Sequence, residues 1–312
     1  MLPLGFALLL ALPAVMTDEA REALAASSPR WPACAVEPAR KAARLWVPER
    51  SGRLAQACER LAFGYAMLEE APARSLRVAE ERLGLASGVA EPELGGAWWV
   101  LAGQALVRLQ RAEEAWAYFK RFQASGGRLK GARVLADFAL AGQKLGQNAG
   151  ALAALTLASG QMAQLGPNFR QRVYLEAGAL SILENRLSQA TGLLDLARRE
   201  PGAIEQRALA RALLATALEI QGKTAQAASV RAEIADIWAL VAGPLTPSVL
   251  SPAPVIGRRQ PYIQTALASA VSAVLLFKAD PKESQVLFRA LKDDPAASQV
   301  LRNFAAVKLG SR

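Results

Sequence analysis

The sequence predicts an all-α protein, and two features of its composition carry that prediction. Ala, Leu, Arg, Glu and Gln dominate the 312 residues, whereas β-branched and aromatic residues are sparse. The dominant residues have high intrinsic helix propensity, which adds up over any long window. Apolar residues make up 52% of the chain, which allows a sizeable core and argues against disorder. A third feature, a recurring order of small and large residues, predicts that the helices pair as hairpins.

The first element along the chain is an apolar run. Residues 1–16, MLPLGFALLLALPAVM, contain no charged side chain. Their length suits a secretory signal better than a membrane-spanning helix, which needs about 20 apolar residues. No Lys or Arg precedes the run, and the nearest Ala-x-Ala lies downstream at Ala23–Ala25. Residues 1–28 are therefore predicted to be a signal peptide or a short uncleaved anchor of an exported, periplasmic or envelope-associated protein. A buried helix of a cytosolic protein is the alternative.

Residues 29–92 are predicted to form an N-terminal helical pair, a degenerate form of the repeat that follows. This region holds the two cysteines of the chain, Cys34 and Cys58. In an oxidising compartment we expect them to form a disulfide, whose loop of about 25 residues would stabilise the fold by on the order of 3 kcal/mol. Two buried free thiols are the alternative. A redox pair is disfavoured because the Cys-x-x-Cys spacing is missing.

Four segments within residues 93–242 share one order of residues. In the first, Trp99, Gly103 and Phe119 are interpreted as packing positions of a helical hairpin, because a small residue in one helix lets a large one from the next approach closely. Each segment contains two helical stretches around a short turn, with the sequences LQRAEE, LGQNAG, LENRLSQ and IQGKTAQ. The spacing between segments is 36, 39 and 37 residues when it is counted from Ala115 to Ala151, Ala190 and Ala227.

This pattern resembles the tetratricopeptide repeat (TPR) family, whose 34-residue unit carries an aromatic residue, a Leu-Gly-like pair, a Tyr-like position and then Ala, Phe, Ala and Pro. The third segment matches it best, with Tyr174, Gly178, Ala190, Ala197 and Pro201. The resemblance implies a right-handed α-solenoid of four hairpins over residues 93–242. One hairpin cannot offset its own conformational entropy, roughly 1.5 kcal/mol per residue, so the units are expected to stack. Related hairpin repeats or an ordinary helical bundle are the alternatives.

The resemblance also implies a concave groove lined by the first helix of each unit. Its positions correspond to Val100, Gln104, Val107 and Arg108; Arg133, Leu140, Gln143 and Lys144; Arg172, Leu175, Ala179 and Ile182; and Leu209, Thr216 and Glu219. Such a channel suits a protein partner with an acidic or amphipathic segment. The two-lysine clamp of chaperone-binding family members is not reproduced, because Val100 and Gln104 stand at the matching positions. In the alternative, the basic residues are merely solvated and the array binds through its edges or ends.

A composition break follows the array. Residues 243–261 contain five prolines and are predicted to be a non-helical linker. Residues 262–312 predict a unit of three helices, beginning with the almost wholly apolar TALASAVSAVLLF, which is too short to span a bilayer. We expect this unit to cap the array, because solenoid ends need covering. A docking unit for a partner is the alternative.

The sequence offers little for catalysis. Histidine is absent, which removes the commonest general base and the commonest metal ligand. Carboxylate pairs such as Glu80 and Glu81 are adjacent in sequence, and neighbours at that spacing do not face each other on a helix. No nucleotide-binding, nucleophile or metal motif occurs. We therefore expect no enzymatic activity, no cofactor and no metal site, with an unfamiliar carboxylate site as the alternative.

The formal net charge is +10, which favours acidic partners. Nucleic-acid binding is disfavoured, because it calls for aromatic residues interleaved with a basic stripe, whereas the aromatic residues here stand at helical core spacings. The function predicted is that of a non-enzymatic scaffold or adaptor in the cell envelope. The alternative is a peripheral protein that uses its positive charge to bind an anionic membrane surface or an anionic envelope polymer.

Overall fold

The computed structural model describes residues 57, 60–86, 92–163, 165–241 and 263–310. Within these ranges the chain is helical apart from turns and short loops, and no strand occurs there, which confirms the all-α prediction. The predicted signal or anchor, the Cys34–Cys58 disulfide and the Pro-rich linker lie outside the described residues, so those predictions stand as made. None of the described helices is long and apolar enough to cross a membrane. The chain divides into two compact units, Met1–Ala141 and Gly142–Arg312.

In the described part of unit 1, a helical segment over residues 60–66 precedes four longer helices, and the division between the units falls within the last of them. These helices are α1 (Pro72–Ala86), α2 (Pro92–Arg108), α3 (Ala112–Ala124) and α4 (Ala132–Lys144). Helix α2 packs against both α1 and α3. Two aromatic rings of α3 contact α4: Trp116 stacks on Phe138 at 4.5 Å between ring centroids, and Phe119 meets Phe138 edge-on at 5.8 Å.

Within the described residues of unit 2, eight helices follow in two groups. The first group is α5 (Asn148–Ser159), α6 (Pro167–Leu183), α7 (Leu187–Arg199), α8 (Ile204–Ile220) and α9 (Thr224–Val241). The second is α10 (Thr265–Ala279), α11 (Pro281–Asp293) and α12 (Gln299–Gly310). Each helix packs against the next within its group, and α6 also contacts α8. The second group packs back onto the first, since α10 contacts α8 and α12 contacts α6.

The four hairpin turns predicted from the sequence share one backbone geometry. In each turn the residue two positions after the first helix has a positive φ, and these residues are Gln110 (61°), Gly146 (71°), Asn185 (57°) and Gly222 (75°). The residue that follows donates its N–H to a carbonyl five residues earlier, as Arg186 does to Ser181 at 2.7 Å. This is the hydrogen bond of a Schellman motif, which satisfies carbonyls at a helix end. Helices α2, α4, α6 and α8 therefore all end in the same way.

Close packing inside the hairpins follows the small and large residues seen in the sequence. A Cβ placed on Gly103 would lie 2.9 Å from the ring of Phe119, and one on Gly178 would lie 2.6 Å from Cγ of Leu194. The predicted contact of Gly103 with Phe119 is thus confirmed. The four spacing alanines are fully buried, and the N–H of each bonds to the carbonyl four residues earlier. These alanines are Ala115, Ala151, Ala190 and Ala227.

One packing prediction needs correction. The tryptophan buried in the first hairpin is Trp98, which is 1% exposed, whereas Trp99 is only partly buried. Trp98 shares a fully buried helical stripe with Leu101, Ala102 and Ala105, at the spacing of three and four residues that marks one face of a helix. Trp99 stands about 100° further round the helix, so it lies at the margin of that stripe.

Candidate partner-binding surface on the first helices

The residues assigned to the groove lie on α2 and α4, which belong mostly to unit 1, and on α6 and α8 of unit 2, and we call each unit's own set its first-helix surface. Most of these side chains are buried, which differs from the open channel that the TPR resemblance implies. The buried ones are Val100, Gln104, Val107, Gln143, Arg172, Leu175, Ala179, Ile182, Thr216 and Glu219, together with the side chain of Arg108. Leu140, Arg133 and Leu209 are partly exposed, and Lys144 is exposed.

In unit 1 the first-helix surface holds a buried ion cluster centred on Arg108. Its Nη1 lies 2.5 Å from Oδ2 of Asp137 on α4, and its Nη2 lies 2.6 Å from Oε1 of Glu69, just before α1. Gln104 donates a second hydrogen bond to Asp137 Oδ2 at 2.7 Å. The Asp137 side chain is 1% exposed, and that of Glu69 is 56% exposed. The cluster joins three segments of unit 1 that are separated in sequence.

The surroundings of this cluster fix its protonation. Burial by itself would lower the pKa of Arg108, but the carboxylates of Asp137 and Glu69 outweigh it and raise that pKa above its ordinary value. Burial, followed by the negative charge of Asp137, raises the pKa of Tyr65 well above its ordinary value. Arg108 therefore stays charged and Tyr65 stays neutral over the physiological range. The charge of Arg108 is thus available at neutral pH to pair with Asp137 and Glu69, and these ion pairs hold three segments of unit 1 together.

In unit 2 the corresponding ion cluster is centred on Glu219, on α8. Arg231 Nη1 lies 2.5 Å from its Oε1, and Lys308 Nζ, on α12, lies 2.6 Å from its Oε2. The Lys308 ammonium also lies 5.5 Å from the ring of Phe277 and 5.6 Å from that of Phe304, a cation–π arrangement. Because the Glu219 side chain is only 6% exposed, this cluster is a buried attachment of the C-terminal helices to α8.

A second polar attachment joins the C-terminal helices to the rest of unit 2. Gln264, the N-cap residue of α10, donates a hydrogen bond from Nε2 to Oδ1 of Asn148 at 2.7 Å. Asn148 is the first residue of α5. The C-terminal helices are thus fixed at two points that lie far apart in the sequence.

Acidification should weaken the attachment at Glu219. Burial would raise the pKa of Glu219, but the hydrogen bonds from Lys308 and Arg231 and their charges lower it below its ordinary value. A lowered folded-state pKa means that the stabilisation is fully present above the unfolded value, about 4.3, and is lost as the pH falls through the folded value. We expect wild type to exceed Glu219→Gln in melting temperature above about pH 5 and to lose this advantage progressively as the pH falls below the unfolded value. Thermal melts across this range measure the difference, and parallel curves would contradict the expectation.

A further buried ion pair lies on α6. Arg172 Nε is 3.8 Å from Oε1 of Glu176, one helical turn later, and both side chains are less than a tenth exposed. The Arg172 guanidinium also lies 5.1 Å from the ring of Phe169. Arg172 was assigned from the sequence as a groove cation, and in the structure its charge is compensated inside the protein. It therefore offers little positive potential to an outside partner.

Sequence reasoning assigned Arg108, Arg172 and Glu219 to the groove but missed the residues with which they pair. Asp137 and Glu176 each stand nine residues before the left-handed residue of their hairpin turn, Gly146 and Asn185 respectively. Counting from the turn would have placed both on equivalent faces of α4 and α6. Glu69 and Lys308 lie outside the predicted array, so the repeat pattern carried no signal for them.

The chain has no match among protein-family models, curated proteins or solved structures.

Proposed function

We propose that the protein is a non-enzymatic, TPR-like scaffold or adaptor of the cell envelope, built as a right-handed α-solenoid of four hairpins. The observation that carries this proposal is the repetition of one hairpin geometry. Each hairpin has a left-handed residue at the same position of its turn and a fully buried alanine at the start of its second helix. Helical pairs that share one geometry can stack on each other, and the apolar surface buried between neighbouring pairs stabilises the array.

Contacts within unit 2 support stacking. Helix α6 packs against α7, α7 against α8 and α8 against α9, so each helix meets its neighbour in the chain. Helix α6 also contacts α8, although α7 lies between them in sequence. First helices of successive hairpins that touch in this way give a shared surface, and proteins of the TPR type bind their partners on such a surface.

The partner proposed is a protein with an amphipathic segment whose polar side is acidic. The packing of α10 and α12 against α8 and α6 supports a helix as the bound element, because helices already occupy that part of the first-helix surface. The accessible cations of the surface are Arg133, which is partly exposed, and Lys144, which is exposed. Acidic side chains on the partner would complement these two charges and speed association.

The test is partner capture with charge reversal limited to these accessible residues. Reversing Arg108 or Arg172 would not be informative, because both side chains are buried in ion pairs and their loss would disturb the fold. The test variant is therefore Arg133→Glu/Lys144→Glu. The control is Arg186→Glu/Lys223→Glu, which reverses two exposed cations in hairpin turns and changes the net charge equally.

Cross-linking in the native host, affinity capture and quantitative mass spectrometry compare the two variants with wild type. We expect a defined set of partner proteins with wild type and the control, and its depletion with Arg133→Glu/Lys144→Glu. An unchanged set in both variants would remove the partner from the first-helix surface. Capture of no protein by wild type under any cross-linking condition would contradict an adaptor function altogether.

A further inference from the structure

The junction between α3 and α4 carries the most strongly basic stretch of unit 1. Residues 118–133, YFKRFQASGGRLKGAR, contain five basic side chains and no acidic one. Four of these side chains are exposed, and we call them the basic junction: Lys120, Arg121, Arg128 and Lys130. The junction combines the last turn of α3 with the loop that follows it, which places four positive charges on one region of the surface.

The backbone of the junction holds these charges together. Gly127 donates its N–H to the carbonyl of Phe122 at 3.0 Å, so the loop folds back on the end of α3. The Phe122 ring covers Gly127 so closely that a Cβ there would lie 2.3 Å from it. Gly126 and Gly131 have φ values of 83° and 86°, a left-handed conformation that glycine adopts without strain. Arg128 therefore follows directly beside the helical turn that carries Arg121.

In the part of the chain that the structure describes, these four charges have no carboxylate at ion-pair distance. Lys120 lies 4.8 Å over the ring of Trp116 and Arg121 lies 5.6 Å over that of Tyr118, contacts that leave the positive charge uncompensated. In unit 2, by contrast, a set of arginines is ion-paired, namely Arg170, Arg198, Arg199, Arg211 and Arg231. The basic junction thus concentrates positive potential that no ion pair among the described residues neutralises.

We propose that the basic junction binds an anionic lipid surface. Each Lys or Arg near a surface of negative headgroups raises the membrane partition coefficient of a protein roughly fivefold. This attraction needs no fixed pairing geometry between a cation and a headgroup. The exposed neighbours of the four cations, residues 123–126, are Gln, Ala, Ser and Gly. They are small or polar, which suits contact at the level of the headgroups without insertion of an apolar side chain.

The structure favours an anionic lipid surface over a single-stranded nucleic acid and over a bound acidic peptide. A single-stranded nucleic acid stacks its bases on open aromatic faces. Here the Trp116 ring is stacked on Phe138 and also contacts the Lys120 ammonium, and the Tyr118 ring contacts the Arg121 guanidinium. A bound peptide gains specificity from pockets for its side chains, and residues 123–126 carry no large apolar side chain to form one. The proposal does not depend on the first-helix surface, so its outcome is separate from that of partner capture.

The experiment is sedimentation of the full-length protein with vesicles of neutral phosphatidylcholine alone or with about 30% phosphatidylglycerol, at low and high salt. The test variant is Lys120→Glu/Arg121→Glu/Arg128→Glu/Lys130→Glu. The control is Arg186→Glu/Arg289→Glu/Lys223→Glu/Lys292→Glu, four exposed cations elsewhere whose reversal changes the net charge by the same amount. A version of the test variant with glutamine at its four positions is included in case charge reversal disturbs folding, and circular dichroism reports the helix content of each.

We expect wild type and the control to bind the anionic vesicles in a salt-sensitive way, and the test variants to bind at least tenfold more weakly, with none binding neutral vesicles. An equal loss in test and control variants would assign the binding to net charge and overturn the site. Failure of wild type to bind anionic vesicles would overturn the proposal directly. If wild type binds a single-stranded oligonucleotide more strongly than anionic vesicles at equal phosphate concentration, the ligand of the basic junction is nucleic acid and the lipid proposal is overturned.

Discussion

Replacing Arg108 with methionine is expected to lower the free energy of unfolding by about 3–5 kcal/mol, because it leaves a buried carboxylate without its cation. Asp137 is 1% exposed, and the amide of Gln104, which also donates to it, is neutral and cannot replace the charge of Arg108. A buried charge that loses its partner retains the full cost of desolvation. Chemical denaturation followed by circular dichroism measures the change.

Two further variants separate the cost of the unpaired charge from the cost of lost packing. In Arg108→Met/Asp137→Leu both charges are gone, and most of the stability should return because an apolar pair can replace a buried ion pair. Glu69→Gln removes the other partner, whose side chain is 56% exposed, and should cost no more than about 1 kcal/mol. A cost for Arg108→Met as small as that for Glu69→Gln would mean that Asp137 is not a buried anion.

Replacing Phe119 with alanine is expected to cost about 3–5 kcal/mol, the range for large aromatic side chains removed from a core. The ring is fully buried, meets Phe138 edge-on at 5.8 Å and fills the space that the missing side chain of Gly103 leaves open. The cavity created would face both α2 and α4, so the hairpin and its contact with the next helix should weaken together. The same denaturation measurement reports the loss.

The contact between Phe119 and Gly103 can be tested by coupling. Gly103→Ala alone should destabilise, because its Cβ would lie 2.9 Å from the ring and force the ring to move. In a Phe119→Leu background the smaller side chain leaves room, so Gly103→Ala should cost less there or become favourable. Strictly additive free energies would show that the two positions do not touch.

Features set by local chemistry were predictable from the sequence. The hairpin turns carry glycine or polar residues, and the four left-handed positions fall inside them. At Gly146 and Gly222 the glycine itself predicts a left-handed conformation. Gln110 and Asn185 adopt this conformation with a side chain present, and only their place in the turn, equivalent to that of the two glycines, predicts it. The contact of Gly103 with Phe119 followed from the same alternation of small and large residues. Which of Trp98 and Trp99 is buried depends on a shift of one residue around the helix. A repeat pattern with many apolar positions does not determine that shift.

Burial of the charged groove positions was not predictable, because it depends on partners that lie far away in sequence. Arg108 is neutralised by residues 39 positions before it and 29 after it, Glu69 and Asp137. Glu219 is neutralised by Lys308, 89 positions later. Offsets carried over from a repeat family say which helix face a residue occupies, but not which distant segment covers that face.

The separation between Glu219 and Lys308 in the sequence also means that Glu219 is synthesised well before its partner. A chain is made from its N-terminus at about 5–20 residues per second, so several seconds pass between the synthesis of these two residues. During that interval α6 and α8 exist without the helices that cover them, and Glu219 has Arg231 but not Lys308. A nascent chain at this stage displays apolar surface that the finished protein hides. Burial of this surface in unit 2 therefore waits until α10 and α12 have been synthesised.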